Sequence, residues 1–297
     1  MIERTPILDA ATHCLMVVGL ILAALPIWIV FVASSHDMAT VNRVPMPLWP
    51  GGDLVENYTR VWSKADFGVK MVNSFLVALG VTAGKILIAA ISAFSIVFFR
   101  YRGRMFLFWI IFATLMLPLE VRIVPTYAVA SNLLEPFQVL FEILGLTIGV
   151  PRVNLLNTYT GLILPLVATA TGTFLYRQFF LTIPDEIVEA AKMDGARPMR
   201  FFVEILLPLS RTNMAALATI MFVYAWNQYL WPLLVVTDPS RATATMTLQK
   251  IVPGPLFGQP PIWNEAMAAT LLVMAPPLLV VIFMQGYFVR GLISTEK

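Results

Sequence analysis

Charged residues are scarce in this chain of 297 residues: Lys and Arg number 20, Asp and Glu number 17, and together they make up 12% of the sequence. A soluble globular domain carries roughly 25% charged residues, which cover its surface in water. Here 59% of the residues are apolar and the mean hydropathy is +0.80. This composition excludes an ordinary soluble domain and predicts a protein whose main solvent is lipid.

Cysteine and histidine are also scarce, because the chain has one cysteine, Cys14, and two histidines, His13 and His36. A single cysteine cannot close an intramolecular disulfide, and these residues do not form a metal-ligand pattern. The sequence lacks a G-x-x-x-x-G-K-S/T phosphate-binding loop. It also lacks a run of Lys and Arg with interleaved aromatics that would indicate nucleic-acid binding. We therefore expect no metal, no cofactor and no catalytic residue on this chain.

Long apolar stretches make up much of the sequence. A helix that crosses a bilayer needs roughly 20 mostly apolar residues. Such stretches occur at residues 14–34, 72–97, 105–129, 159–181, 212–236 and 264–289. They predict an all-α polytopic membrane protein with six transmembrane helices.

The predicted domains follow from these spans. Residues 1–71 are expected to form an N-terminal anchor helix and the first external loop, residues 72–290 the transmembrane core, and residues 291–297 a tail. We expect the first span to be retained as an anchor. The acidic Glu3 and Asp9 precede it, and no small-residue cleavage site follows a short apolar core.

Positive charge predicts the orientation, because cytoplasmic loops retain Lys and Arg during insertion. The basic residues concentrate in segments that are cytoplasmic if the N-terminus is inside, above all in the turn at residues 99–104, which holds three arginines. Both termini are therefore expected in the cytoplasm, with long external loops at residues 35–71 and 130–158. An apolar run at residues 136–150 is too short to span and is expected at the outer interface.

The segment between the fourth and fifth spans carries helix signals. Thr182 and Asp185 have the spacing of a capping box, which predicts a helix start, and Gly195 allows a left-handed stop. A second helical segment is predicted at residues 197–207, closed by Pro208. The sequence therefore predicts a helix-turn-helix that lies outside the membrane.

A fixed pattern of residues occurs within this segment. It consists of Glu189-Ala190-Ala191, then Gly195 after three residues, then Ile205-Leu206-Leu207-Pro208 after nine more. A generic helix pair of this kind is most often a solvated connector. This pattern, however, resembles the EAA motif of the permease subunits of binding-protein-dependent ABC importers. The small side chains of Ala190 and Ala191 would let another protein approach closely.

The resemblance extends over the whole chain. It points to the carbohydrate-type branch of these permeases, and most closely to those of the sn-glycerol-3-phosphate importers. The segments that carry it are residues 115–126, 198–202, 224–234 and 288–292. The resemblance implies a type I ABC importer permease fold with a cytoplasmic coupling helix in the loop 182–211, placed in a bacterial inner membrane.

The resemblance also implies a set of partners. They would be a homologous permease subunit, two copies of a cytoplasmic ATPase, a periplasmic solute-binding protein and the lipid bilayer. ATP and Mg would bind the ATPase subunits and not this chain, which by itself would not be an enzyme. The residues implied to couple this chain to the ATPase are Glu189, Ala190, Ala191, Gly195, Ile205, Leu207 and Pro208.

The implied function is import of sn-glycerol 3-phosphate, or of glycerophosphodiesters, by alternating access. The same machine for a neutral sugar or oligosaccharide stays an alternative, because a fold does not determine a substrate. A self-contained secondary transporter is less consistent with the sequence. Such a transporter needs coupling carboxylates near the bilayer midplane, whereas Glu120 and Glu265 lie near span ends, and no internal duplication is apparent.

Four polar residues inside the predicted spans are candidates for the substrate path. Lys85 lies past the middle of the second span and would either attract a phosphate or pair with a carboxylate or carbonyl of a neighbouring helix. Arg122 would either bind phosphate through its guanidinium or have an interfacial or structural role. Asn227 and Gln228 are expected to face the bundle interior, because lipid does not satisfy their amides. Glu265 is expected to be an interfacial charge.

Overall fold

The computed structural model of the chain describes residues 6–114, 117, 119–146, 148–168, 170–252 and 262–293. In this part of the chain all regular secondary structure is helical and no β-strand occurs. The prediction of an all-α protein is therefore confirmed. Glu3 and residues 294–297 of the predicted tail lie outside the described residues.

The helices of the described residues are numbered in chain order. The N-terminal half contains α1 (Pro6–Ser34), α2 (Met38–Val41), α3 (Leu54–Ser63), α4 (Phe67–Phe98), α5 (Arg104–Ala113), α6 (Leu119–Ser131) and α7 (Glu135–Ile143). The C-terminal half contains α8 (Tyr159–Val167), α9 (Ala170–Phe180), α10 (Asp185–Met193), α11 (Pro198–Phe201), α12 (Leu207–Leu209), α13 (Arg211–Trp226), α14 (Leu230–Val235), α15 (Ala244–Ile251) and α16 (Trp263–Ile293).

Three helices of the described residues are long and apolar enough to cross a membrane: α1, α4 and the part Trp263–Tyr287 of α16. Two bent pairs also qualify when each pair is taken as one span. They are α8 with α9, bent by 47°, and Pro198–Leu209 with α13, bent by 76°. The structure thus gives three to five candidate spans where the sequence predicts six. The predicted third span, 105–129, falls on α5 and α6, and part of their connection lies outside the described residues.

The fifth span predicted at residues 212–236 is not one continuous helix, because α13 and α14 are separated by residues 227–229. Pro232 explains the break. Proline has no N–H, and its ring clashes with the carbonyl four residues earlier, which here belongs to Gln228. That carbonyl instead accepts a hydrogen bond from the Thr245 hydroxyl at 2.9 Å.

The chain divides into two compact units. The first comprises residues 1–68 and 247–275, and the second comprises residues 69–246 and 276–297.

A buried amide ties the elements of the first unit together. Asn57 of α3 is 2% exposed, and its Nδ2 donates to the carbonyls of Ser34 at 2.9 Å and His36 at 2.8 Å. Asn264 of α16 donates in turn to Asn57 Oδ1 at 2.8 Å. These bonds hold α3 against the end of α1 and the start of α16.

Glu265, expected to be an interfacial charge, is largely buried in an ion pair near the start of α16. Its side chain is only 10% exposed and accepts a hydrogen bond at 2.5 Å from Nζ of Lys64, whose side chain is 52% exposed. A carboxylate with so little access to water depends on its partner, because an uncompensated buried charge is costly.

This asymmetry in exposure predicts unequal effects of removing the two partners. Lys64→Met should destabilise the protein by about 2 kcal/mol or more, because it leaves the buried carboxylate unpaired. Glu265→Gln should cost less than about 1 kcal/mol, because the ammonium that it leaves has access to water. Thermal unfolding of the purified protein in detergent measures both. The double variant should recover most of the Lys64→Met loss, and equal losses in the two single variants would contradict this account.

The second unit contains α4 from residue 69 onward, and small side chains line part of its buried surface. Ala78, Ala89, Ala90 and Ala93 are all buried. Small residues allow helices to approach closely in a membrane protein. Lys85 lies on the same helix, four residues before Ala89, so α4 carries both a buried cation and a close-packed end.

Candidate functional site

The first candidate site is the helix pair that follows α9. Its first helix, α10, begins at Asp185, and Pro184 is an extended N-cap residue without a side-chain capping bond. The predicted capping box is therefore wrong, because the Thr182 hydroxyl donates instead to the carbonyl of Phe179 at 2.7 Å. Asp185 and Glu186 in the first turn still favour the helix start, since they complement the helix dipole.

The predicted left-handed stop at Gly195 is confirmed, because its φ is +71°. The Gly195 N–H donates to the carbonyl of Lys192 at 3.0 Å, and the Ala196 N–H donates to the carbonyl of Ala191 at 2.9 Å. These two bonds form a Schellman motif. A Cβ at Gly195 would have open space around it, so the requirement for glycine comes from the backbone conformation alone.

The second helical segment, predicted at residues 197–207, is observed as Pro198–Leu209. It includes a π-helical stretch, Phe202–Leu206. This stretch ends two residues before Pro208, whose missing N–H interrupts α-helical hydrogen bonding. The chain then bends by 76° into α13, as expected for a segment that closes at this proline.

One side of the helix pair is buried in the second unit. Ala191 is 5% exposed, and Phe202 and Leu206 are buried with it. The cluster that they join includes Ala89, Ala90, Ala93 and Phe94 of α4, Tyr176 and Phe180 of α9, and Leu217 and Met221 of α13. The ring centroids of Phe94 and Phe202 are 4.8 Å apart. The helix pair is therefore packed firmly on one end of α4.

This packing corrects the role expected for Ala191. Its small side chain allows close approach within the chain and leaves no surface for another protein, whereas Ala190 is exposed. Ile205 and Leu207 are partly buried and pack against the same cluster, and Pro208 is exposed. Four of the motif residues thus anchor the helix pair, namely Ala191, Ile205, Leu206 and Leu207.

The other side of the helix pair is exposed. It presents Glu189, Ala190 and Gly195, together with two exposed apolar side chains, Met193 at 83% and Met199 at 61%. Exposed methionines next to charged residues are typical of a contact surface, because their flexible side chains adapt to a partner.

An exposed ion pair lies on the second helical segment. The Arg200 Nε donates to Glu204 at 2.8 Å, and this hydrogen bond raises the pKa of the Arg200 guanidinium. Because the two side chains are 63% and 57% exposed, the pair adds little to stability.

The second candidate site is a cavity of about 270 Å³ in the second unit, and it brings Lys85 and Arg122 together. The polar residues that complete its lining are Thr114, Thr171 and Tyr224. Lys85 is only 5% exposed, and its Nζ lies 4.1 Å from the centroid of the Tyr224 ring. The ring provides a cation–π contact, which stabilises a desolvated ammonium.

The sequence left open whether Lys85 has a structural partner. Among the described side chains, no ion pair includes Lys85 or Arg122. The side chain of Glu120 lies outside the described residues. Lys85 therefore contacts the Tyr224 ring and shares its cavity with a second cation, Arg122.

The two predicted amides of the substrate path, Asn227 and Gln228, do not line this cavity. Asn227 caps the end of α13 through a backbone bond to Val223 at 3.1 Å. The structure therefore does not join these amides to Lys85 and Arg122.

Sequence reasoning missed Tyr224 and Thr171 as residues of the cavity. Tyr224 lies within a segment that carries the family resemblance, but only the folded chain shows that its ring contacts Lys85. For Thr171 no signal was present, since a threonine in an apolar helix most often bonds to its own backbone.

These features define the class of the protein as an α-helical membrane protein. A model of the family described as "Binding-protein-dependent transport system inner membrane component" matches residues 85–294. Because that match covers more than half of the chain, the chain belongs to this family.

Curated relatives match over the full length. The chain is 46% identical over 303 residues to the sn-glycerol-3-phosphate transport system permease protein UgpE of Yersinia enterocolitica, covering 100% of both chains. It is also 46% identical over 304 residues to the UgpE protein of Pectobacterium atrosepticum, again covering 100% of both.

A solved structure shows the same fold. One chain of a bacterial ABC transporter involved in the import of the acidic polysaccharide alginate aligns with a TM-score of 0.72 and 20% identity. The alignment covers 97% of this chain and 99% of that one. The fold is therefore that of an ABC transporter permease, and the protein is a multi-pass membrane protein.

Proposed function

We propose that this chain is a permease subunit of an ATP-driven importer of sn-glycerol 3-phosphate or glycerophosphodiesters. The support for the substrate is the full-length similarity to the UgpE permeases. The support for the mechanism is one structural observation: the helix pair with the EAA motif packs directly on α4, the helix that also carries Lys85.

This connection suggests how the subunit performs its task. The exposed side of α10 and of the turn after it, with Glu189, Ala190 and Gly195, docks on a cytoplasmic ATPase, and the buried side of α10 transmits the displacement to α4. Lys85 lies nine residues before Phe94 on that helix, or about 14 Å at 1.5 Å per residue. A rigid helix of this length moves the membrane cavity when its end moves, as alternating access requires.

The proposed topology has six spans and both termini in the cytoplasm. The three long helices, α8 with α9, and α13 supply five spans, and α5 with α6 supplies the remaining one, whereas Pro198–Leu209 belongs to the coupling segment. In this arrangement residues 1–71 form the anchor helix and the first external loop, residues 72–290 the core, with the coupling segment at 182–211. The turn at residues 99–104 and α10 then face the cytoplasm, as the positive charges predict.

The proposed assembly contains a homologous permease, two ATPase subunits that bind ATP and Mg, and a periplasmic solute-binding protein. Asn227 and Gln228 remain candidates for the substrate path in this assembly. They lie at a helix break, and interrupted helices in transporters place free backbone and amide groups near the substrate.

Uptake measurements test the proposed substrate. Cells that lack other importers of glycerol phosphates should accumulate labelled sn-glycerol 3-phosphate in an ATP-dependent manner when they express this chain with its cognate subunits. The alternative of a neutral sugar predicts no such uptake and instead accumulation of a labelled oligosaccharide. Uphill uptake by this chain reconstituted alone would contradict the proposed mechanism.

A further inference from the structure

We infer that Lys85 and Arg122 form a subsite for the phosphate group of the transported substrate, with the Tyr224 ring positioning the Lys85 ammonium. The inference rests on the proposed function, because it concerns the path of a phosphorylated solute. It adds that this subunit itself contacts the anionic group during transport.

The first argument is the burial of Lys85. Lys85 is 5% exposed. A charged group buried in the membrane part of a protein is costly unless it interacts with a partner or a ligand. The Tyr224 ring at 4.1 Å satisfies one side of the ammonium. The cavity lies beside it and leaves room for an anion.

The second argument is the pairing of like charges. Arg122 lines the same cavity as Lys85, and two cations that share a site of low dielectric repel each other. A dianion between them removes that repulsion and is attracted by both. The arrangement is therefore better suited to a phosphate monoester than to a neutral solute.

The third argument is the chemistry and size of the cavity. A guanidinium binds phosphate oxygens with two parallel N–H bonds, and an ammonium acts as a compact point charge. Thr114 and Thr171 also line the cavity, and their hydroxyls are suited to the hydroxyls of a glycerol group. The volume of about 270 Å³ lies near the lower limit for small-molecule sites and fits a small solute.

Protection from thiol labelling tests the inference in the assembled importer, prepared in nanodiscs of phosphatidylcholine. The only cysteine of the chain, Cys14, is replaced by serine, and Thr171→Cys introduces a reporter into the cavity wall. Labelling of this chain by a maleimide is read by mass spectrometry. We expect sn-glycerol 3-phosphate to protect the reporter, and glycerol at the same concentration not to protect it.

Variants of the two cations then test whether Lys85 and Arg122 cause the protection. Lys85→Met and Arg122→Gln should each raise the concentration for half-protection roughly 10- to 100-fold, because each removes a charge-assisted interaction. Lys85→Arg should retain most of the protection. Lys250→Met makes the same change at an exposed lysine and should leave protection unchanged.

Two outcomes would overturn the inference. One is equal protection in the wild type and the Lys85→Met/Arg122→Gln double variant, accompanied by normal uptake from saturating loaded binding protein. The other is protection that follows added phosphatidylglycerol and not the soluble phosphate, which would assign the cavity to a lipid headgroup. A wild-type importer that carries no glycerol phosphate at all would instead contradict the proposed function, so the two failures are distinguishable.

Discussion

Gly195→Val is expected to lower ATP-driven uptake by roughly 10-fold or more while the chain still inserts and the ATPase subunits remain active. Gly195 has a φ of +71°, and a β-branched residue at positive φ costs on the order of 1–3 kcal/mol. The substitution therefore disrupts the Schellman turn and changes the angle between α10 and the following helix. Uptake into vesicles and ATP hydrolysis by the same vesicles measure the effect.

A graded series at this position separates backbone strain from contact with the ATPase. Asparagine tolerates left-handed backbone conformation better than alanine does, although its side chain is larger. Strain therefore predicts more uptake by Gly195→Asn than by Gly195→Ala, with Gly195→Val lowest. The reverse order, which follows side-chain size, would show that close approach of the partner is what requires glycine. Unchanged uptake in all three variants would contradict the docking role of this turn.

The sequence predicted the features that depend on neighbours along the chain. The stop at Gly195 is one, since the turn needs only a residue that accepts positive φ after a helical run. The long apolar stretches are another, because length and composition alone decide whether a helix such as α4 can span. The capping box was wrong because Pro184 starts the helix without a side-chain cap, and the Thr182 hydroxyl bonds back to the preceding turn.

The side of α10 that is buried could have been predicted in part. Ile187 and Val188 lie four and three residues before Ala191, which places all three on one helical face. The spacing shows that Ala191 faces inward and Ala190 does not. It does not show that the inward face meets aromatic side chains of α4 and the segment 198–209, because these residues are far apart in the chain.

The cavity could not be predicted from the sequence, because its three main residues come from three helices. Lys85, Arg122 and Tyr224 are widely separated along the chain, and no spacing rule relates them. The break at residues 227–229 is different, since Pro232 was a visible local signal. The apolar residues on both sides of Pro232 nevertheless favoured the prediction of one continuous span at residues 212–236.

Gly161→Ala is expected to destabilise the second unit by about 3 kcal/mol, a large effect for one methyl group. A Cβ at Gly161 would lie 2.1 Å from the carbonyl oxygen of Leu155. That backbone cannot move away easily, because the Leu155 N–H donates to the carbonyl of Ala130 at 2.9 Å. The Gly161 carbonyl also accepts a hydrogen bond at 3.1 Å from Trp231, which is 1% exposed. One methyl group thus disturbs α6, α8 and α14 together.

Thermal unfolding in detergent, followed by size-exclusion chromatography of the heated protein, measures this loss. Gly19→Ala in α1 is the matched control, because a Cβ there has no atom within 4 Å and should leave the unfolding temperature nearly unchanged. If the clash is responsible, Trp231→Phe should cost less than Gly161→Ala, since it removes one hydrogen bond and part of a ring but forces no overlap with the backbone. Equal stability of Gly161→Ala and the wild type would show that the approach of Leu155 to α8 is looser than the structure describes, and that this contact does not hold the loop before α8 in place.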